Sequence, residues 1–164
     1  MPVEREEFVE IMASFPSGVA VITTLHGDEP RGLTTTAFSS VSAEPPLLLV
    51  SVDLTSRTLA AVVERGSFGV NFLRSGRDRL ARRFASKADD KFGAVAWRPS
   101  PAGLPLLHDD AVAWAECSLE QEIGAGDHVI LLGRVDAGAV LYPDDVPLMY
   151  YRRTWGEWTP RQES

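Results

Sequence analysis

The chain has 164 residues, 45% of them hydrophobic and 24% charged, with a net charge of −7. That length favours one domain spanning 1–164 with a sizeable core, and an acidic chain with no long apolar run disfavours nucleic acid and membrane as partners. The acidic N-terminus reads unlike a signal peptide, and the single cysteine, Cys117, excludes an internal disulfide and fits a reducing, cytoplasmic location.

Phe8, Ile11, Met12 and Phe15 recur at helical spacing and predict an amphipathic helix over 4–15, stopped by Pro16 and Gly18. The β-branched run 19–25 predicts a strand, His26 to Pro30 a turn, and Arg31 to about Val41 a second strand. Pro45 and Pro46 break the chain before 47–53, whose nearly continuous apolar character predicts a central strand buried on both faces. Thr55 or Ser56 caps a helix through Thr58 and Val63, which Gly66 ends. Residues 67–73 predict another strand, and 77–87 a basic helix with Leu80 and Phe84 facing inward. A loop rich in Pro and Gly follows, from Trp97 to Pro105.

The clearest alternation comes next. Ala113, Ala115, Cys117, Leu119 and Ile123 point one way, and Glu116, Ser118, Glu120 and Glu122 the other. Within this pattern Cys117 reads as a small buried hydrophobe rather than a nucleophile. Gly124 to Asp127 turns the chain into a partner strand, His128 to Val140, and Leu148 to Tyr151 predicts a last short strand. Strands dominate and consecutive strands pair antiparallel. This excludes a doubly wound parallel sheet and predicts a mainly β fold, an antiparallel barrel with a few helices packed outside. The apolar tract 129–132 needs cover on both faces, which points to a homodimer.

Several chemistries are absent from the sequence. There is no CxxC, HExxH or paired-histidine spacing for a metal, no GxSxG, no P-loop and no GxGxxG. Three features remain. The run Thr34-Thr35-Thr36-Ala37-Phe38-Ser39-Ser40 offers small hydroxyl side chains to a closely approaching ligand, although threonine is also simply common in strands. The segment Ser51 to Thr58 puts Asp53, Ser56, Arg57 and Thr58 where a strand gives way to a helix, and a helix start suits a phosphate as well as it suits an ordinary cap. Gly126-Asp127-His128 places a histidine beside a tight turn, with Arg134 following, and either a ligand edge or plain solvent can be its neighbour. A basic island between Arg74 and Lys91 carries seven cationic side chains against three aspartates; it reads as a solvated helix face for most of its arginines and as an anion cradle for a few.

Taken together, the stretches FPSGVAVITT, GLTTTAFSSVSAEPPLLLVSVD, SRT, SFGVNFL, ARRFA and GDHVILLGRV resemble, in order and spacing, the short-chain flavin reductases that serve two-component flavin monooxygenases. The match runs from Phe15 to Arg153. The resemblance implies a split β-barrel with a Greek-key core, a homodimer, FMN or FAD as flavin, and NADH or NADPH as hydride donor. It places the isoalloxazine near Thr34, Thr35, Thr36 and Ala37, and the ribityl chain near Ser51 and Asp53. It places the flavin phosphate near Ser56, Arg57 and Thr58, helped by Arg83, Phe84 and Ala85. His128 then lies on the open flavin face as the catalytic, nicotinamide-orienting residue, with Arg134, Arg153 and Trp155 near that mouth. The family usually carries asparagine where this chain has Thr36, which lacks the carboxamide. The implied activity is hydride transfer from a nicotinamide to flavin, with reduced flavin passing to a separate monooxygenase. Two other readings fit the same residues: a flavin carrier or sensor without nicotinamide turnover, and the same barrel holding haem or a deazaflavin.

Overall fold

The structure is a computed structural model that describes residues 1–162. The elements follow in chain order: α1 (Arg5–Ala13), β1 (Ser17–Gly18), β2 (Ala20–His26), β3 (Glu29–Thr35), β4 (Phe38–Ala43), β5 (Pro46–Asp53), α2 (Arg57–Arg65), β6 (Ser67–Leu73), α3 (Asp78–Ala85), β7 (Arg98–Pro99), β8 (Pro105–Leu106), β9 (Ala111–Ala125), β10 (His128–Val140), β11 (Leu148–Tyr151) and β12 (Thr154–Glu157).

Seven strands form one antiparallel sheet in the order β3-β2-β6-β9-β10-β5-β4. Hairpins join β2 to β3, β4 to β5 and β9 to β10, and β6 threads between them. The sheet curls into a split barrel in Greek-key order. β3 and β5, distant in the sheet, come close together without pairing and leave an open seam.

Side chains from alternate positions fill the interior. Ile22, Val50, Val52, Phe68, Val70, Cys117 and Leu131 pack there with Leu59 and Val62 of α2. Burying an aliphatic or aromatic side chain of this size contributes roughly 1.5–3 kcal/mol. Close approach is built in at Gly133, where an added Cβ would lie 2.6 Å from Cζ of Phe68. A second cluster joins Val19, Val21, Leu73, Phe84, Phe92, Leu107 and Leu148 beneath α3. Asn71, buried in β6, ties the layers: its Nδ2 donates to the Val21 carbonyl at 3.1 Å, and its Oδ1 accepts from the Leu107 amide at 2.9 Å.

Ser56 caps α2, its Oγ accepting from the Leu59 amide at 3.4 Å, and Gly66 closes the helix in the left-handed region at φ 74°. Four sequence expectations shift. The single strand expected from Arg31 to Val41 is two, β3 and β4, because Thr36 and Ala37 form a corner. Glu116 is buried rather than on a wet face, because its carboxylate accepts from the Ser100 hydroxyl and the Ala102 amide. The helix α1 has no buried residue, so its apolar side chains Phe8, Ile11 and Met12 stand exposed, as does Phe15 just beyond it. Finally, the strand expected to be buried on both faces over 47–53 is β5, which lies next to the edge strand β4 and buries only Val50 and Val52, so one face alone is covered by the core.

Candidate functional site

A cleft of about 660 Å³ opens at the seam between β3 and β5. That volume lies within the roughly 300–1,000 Å³ usual for small-molecule sites. One wall is β3 from Pro30 to Thr35. The other is the end of β5, from Ser51 to Asp53, with the start of α2. The C-terminus of α3, the loop after it and His128 complete the lining.

Each wall is fixed by a polar link. Thr34 donates its hydroxyl to the Ala81 carbonyl at 2.6 Å, which clamps β3 to α3. Thr35 Oγ1 accepts from the Ala37 amide at 3.0 Å, and the Ser51 amide donates to the Ala37 carbonyl at 2.8 Å, so the Thr36–Ala37 corner is tied to β5. Asp53 accepts from both the amide and the hydroxyl of Thr55, at 2.7 and 2.6 Å, and these bonds lower its pKa. The turn leaves Ser56, Arg57 and Thr58 at the start of α2, where the Ser56 amide donates to the Asp53 carbonyl at 3.1 Å and the helix dipole favours an anion.

The cationic end is richer than the sequence suggests. Lys91 reaches in half-buried, donating from Nζ to the Phe84 carbonyl at 2.9 Å and the Gly32 carbonyl at 3.1 Å. Both acceptors are neutral, and burial pulls its pKa down. Arg57 donates to Asp89 Oδ1 at 2.7 Å across the lip of the cleft. Arg83 donates from Nε to the Lys91 carbonyl at 2.6 Å and so holds the loop in place from outside the cleft.

His128 pairs in register with Asp53, and its side chain is 41% exposed. Its Nδ1 lies 2.7 Å from Asp127 Oδ1. A carboxylate only accepts, so Nδ1 carries the proton and Nε2 is left for another partner. The same hydrogen bond lowers the pKa of Asp127. Carboxylates thus flank His128, and Asp53 also feels the charge of Lys87 from the loop after α3.

The structure brings together Thr34, Thr35, Ser51, Asp53, Ser56, Arg57, Thr58, Phe84, Ala85 and His128 in one cleft. It does not bring the remaining candidates there. Thr36 and Ala37 form an exposed corner after β3, where Ala37 is bonded to the cleft residue Ser51 although neither corner residue lines the cleft, and Arg83 braces the loop. Arg134 is engaged by Glu120 and Asp136, both at 2.8 Å, some way along β10. Trp155 packs tilted against Tyr150 with centroids 4.7 Å apart, while Arg82 lies over its ring. Arg153 sits in the β11–β12 turn at φ 59°, and lines a second, smaller hollow with Glu10, Ala13, Ser14 and Arg152. Cys117 lies inside the barrel with its thiol pKa pushed up to about 12 by burial, so it is no nucleophile. Among the described residues no group of His, Cys, Asp and Glu could hold a metal.

Sequence reasoning missed Gly32, Lys87 and Lys91 as cleft residues. The basic island was the available signal, but a lysine aimed at two main-chain carbonyls looks in sequence like a lysine on a wet helix face.

Both the volume and the donor set fit a phosphorylated, ring-bearing ligand: hydroxyls and a hydrophobic floor along the walls, and cations with a helix start at one end. The chain matches the family model described as a flavin reductase like domain over residues 12–159. It is 45% identical over 163 residues to "Flavin reductase (NADH)" of Kitasatospora aureofaciens, covering 98% of this chain and 85% of that one. It is 42% identical over 152 residues to "Flavin reductase (NADPH)" of Lentzea aerocolonigenes, covering 92% and 88%. Reductase subunits of flavin-dependent monooxygenases are also among its relatives. The solved NADH:FAD oxidoreductase SgcE6 of Streptomyces globisporus superposes with a TM-score of 0.90 at 32% identity, covering 98% of this chain and 96% of that one.

Proposed function

Because the chain belongs to the family of flavin reductase-like domains, we infer that it is an NAD(P)H-dependent flavin reductase whose flavin lies in the β3–β5 cleft. The observation that carries the placement is the lining of the cleft, which brings the start of α2 and the cations Arg57, Lys87 and Lys91 together with hydroxyl-bearing walls and a partly exposed histidine. The chemistry supplied when both partners are bound is hydride transfer from a dihydronicotinamide to the flavin ring.

The protein's own task is to bind and align. Ser56, Arg57, Thr58 and Lys91 hold the phosphate with charge-assisted hydrogen bonds. Ser51 and Asp53 line the ribityl path, and Thr34 and Thr35 present β3 to the ring edge. Phe84 and Phe92, edge to face with centroids 4.9 Å apart, give the floor an apolar surface and keep water from it. His128, its ring turned by Asp127, orients the nicotinamide at the open end. Bringing two rings into near contact removes most of the entropic barrier to a bimolecular hydride transfer, so the site needs no strong acid or base.

The exposed apolar side chains of α1, together with Ile130 and Leu132 on the outer face of β10, suit a second copy of the chain, and we assign the protein as a homodimer. The reduced flavin is passed to a separate monooxygenase, in keeping with relatives named as reductase subunits of flavin-dependent monooxygenases. The decisive experiment follows nicotinamide oxidation by purified protein supplied with FMN, FAD or riboflavin. Turnover that depends on added flavin is expected. Flavin binding without any NADH or NADPH oxidation would instead make the protein a carrier.

A further inference from the structure

The anion-binding end of the cleft already holds an anion. Arg57, the first residue of α2, donates from Nη1 to Asp89 Oδ1 at 2.7 Å, and its Nη2 makes long contacts to the carbonyls of Lys87 at 3.4 Å and Ala88 at 3.5 Å. Both side chains line the cleft, so the pair spans its rim from the helix start to the loop after α3. The Asp89 side chain is 93% exposed, and among the described residues Arg57 is its one side-chain partner. Its neighbour differs. Asp90 turns back to accept from the Phe92 amide at 3.2 Å and shapes the loop. The loop has other fastenings, from Arg83 to the Lys91 carbonyl and from Lys91 to the Gly32 and Phe84 carbonyls. Asp89 is therefore not needed to hold the loop closed, yet it occupies the guanidinium best placed to meet a phosphate.

We propose that Asp89 is an internal competitor for Arg57 and sets how loosely phosphorylated flavins are held. The proposal rests on placing the flavin phosphate at the start of α2. A phosphate arriving there offers the guanidinium a bidentate acceptor, and Asp89 swings into water as it yields. Exposed ion pairs of this kind are weak, so the exchange is easy in both directions. A carboxylate that recaptures Arg57 as the phosphate leaves speeds release. That suits an enzyme whose reduced product must reach another protein, since most affinity differences lie in dissociation rates. Riboflavin, which carries no phosphate, does not meet this competition, so Asp89 discriminates against FMN and not against the ring.

The test is a set of fluorescence titrations with FMN and with riboflavin on the wild-type protein, Asp89→Asn, Arg57→Ala and the double variant. Asp89→Asn is expected to bind FMN about two- to fivefold tighter, the range set by an exposed ion pair, with riboflavin unchanged and no gain once Arg57 is alanine. Stopped-flow release of FMN should slow by a similar factor. Unchanged or weaker FMN binding by Asp89→Asn, while Arg57→Ala still selectively loosens FMN, overturns the competitor and leaves Asp89 as a loop fastening. An equal gain in both backgrounds also overturns it, since Asp89 would then act as diffuse negative charge. Equal loosening of FMN and riboflavin by Arg57→Ala would instead overturn the phosphate reading beneath it.

Discussion

The barrel interior and the cleft beside it are held by contacts of opposite kinds. Inside the barrel, Ile22, Val50, Phe68, Cys117 and Leu131 arrive from five strands, each at the inward position of an alternating pattern. Along the cleft, the fixing contacts are polar and join unlike elements: Thr34 to the Ala81 carbonyl, Lys91 to the Gly32 carbonyl, Arg57 to Asp89, across 47, 59 and 32 residues. The interior tolerates no void, because close packing makes each methylene felt. The lip tolerates exchange, because the exposed Arg57–Asp89 pair has water as an alternative partner. The fold thus concentrates its rigidity behind the site and keeps the site's edge replaceable.

The largest expected effect tests the interior half. Phe68 is fully buried, in contact range of Gly133 and Cys117. Phe68→Ala should destabilise the chain by roughly 3–5 kcal/mol, through lost transfer energy and the cavity left behind. Chemical denaturation at unchanged m-value reads this directly. A loss below about 1 kcal/mol would mean that the barrel can collapse around the gap, and the contrast with the cleft would dissolve.

A smaller effect is expected where the two regions meet. Gly32 lies on β3, and a Cβ there would stand 2.9 Å from Cε1 of Phe84 and 3.1 Å from the Ile22 carbonyl oxygen. The Gly32 carbonyl also accepts from Lys91. Gly32→Ala should cost roughly 1–3 kcal/mol by overpacking, and it should weaken FMN and riboflavin together, because Phe84 is part of the cleft floor. Isothermal titration of both flavins alongside thermal unfolding checks the pair of effects. Lost stability with intact flavin binding would show that the cleft is insulated from the barrel.

The same contrast explains what was legible in the sequence. The β-branched run of β2, the apolar run of β5 and the alternation of β9 located strands because each signal is local, although burial on both faces falls to β2 and β6 rather than to β5. The Ser56 cap and the Gly66 stop were readable because capping chemistry is confined to a few residues. The buried Glu116 was not, since nothing near it in sequence announces Ser100 and the Ala102 amide as partners. Nor was the role of Lys91, whose acceptors are main-chain carbonyls that any sequence offers everywhere. The cleft residues on β3, β5 and α2 were anticipated largely through the family resemblance. Their hydroxyls alone fit an ordinary strand and an ordinary cap.

The smallest effect concerns the replaceable edge at its acidic end. His128 opens β10, opposite Asp53, with its ring held by Asp127 at 2.7 Å and its side chain 41% exposed. Nothing in the barrel leans on it, so His128→Ala should leave the unfolding midpoint unchanged. The polar links that fix the flavin walls run through Thr34, Ser51, Asp53 and Lys91, so flavin affinity should also stay. What is lost is one hydrogen bond or stacking contact to the nicotinamide, worth roughly 1–2 kcal/mol, which is about a five- to thirtyfold fall in kcat/KM for the nicotinamide. Steady-state kinetics at saturating FMN separate the cases. Wild-type kinetics for both substrates would make His128 a turn residue in water. A fall in flavin affinity with nicotinamide kinetics intact would put its ring on the flavin instead, and the cleft would then serve one ligand rather than two.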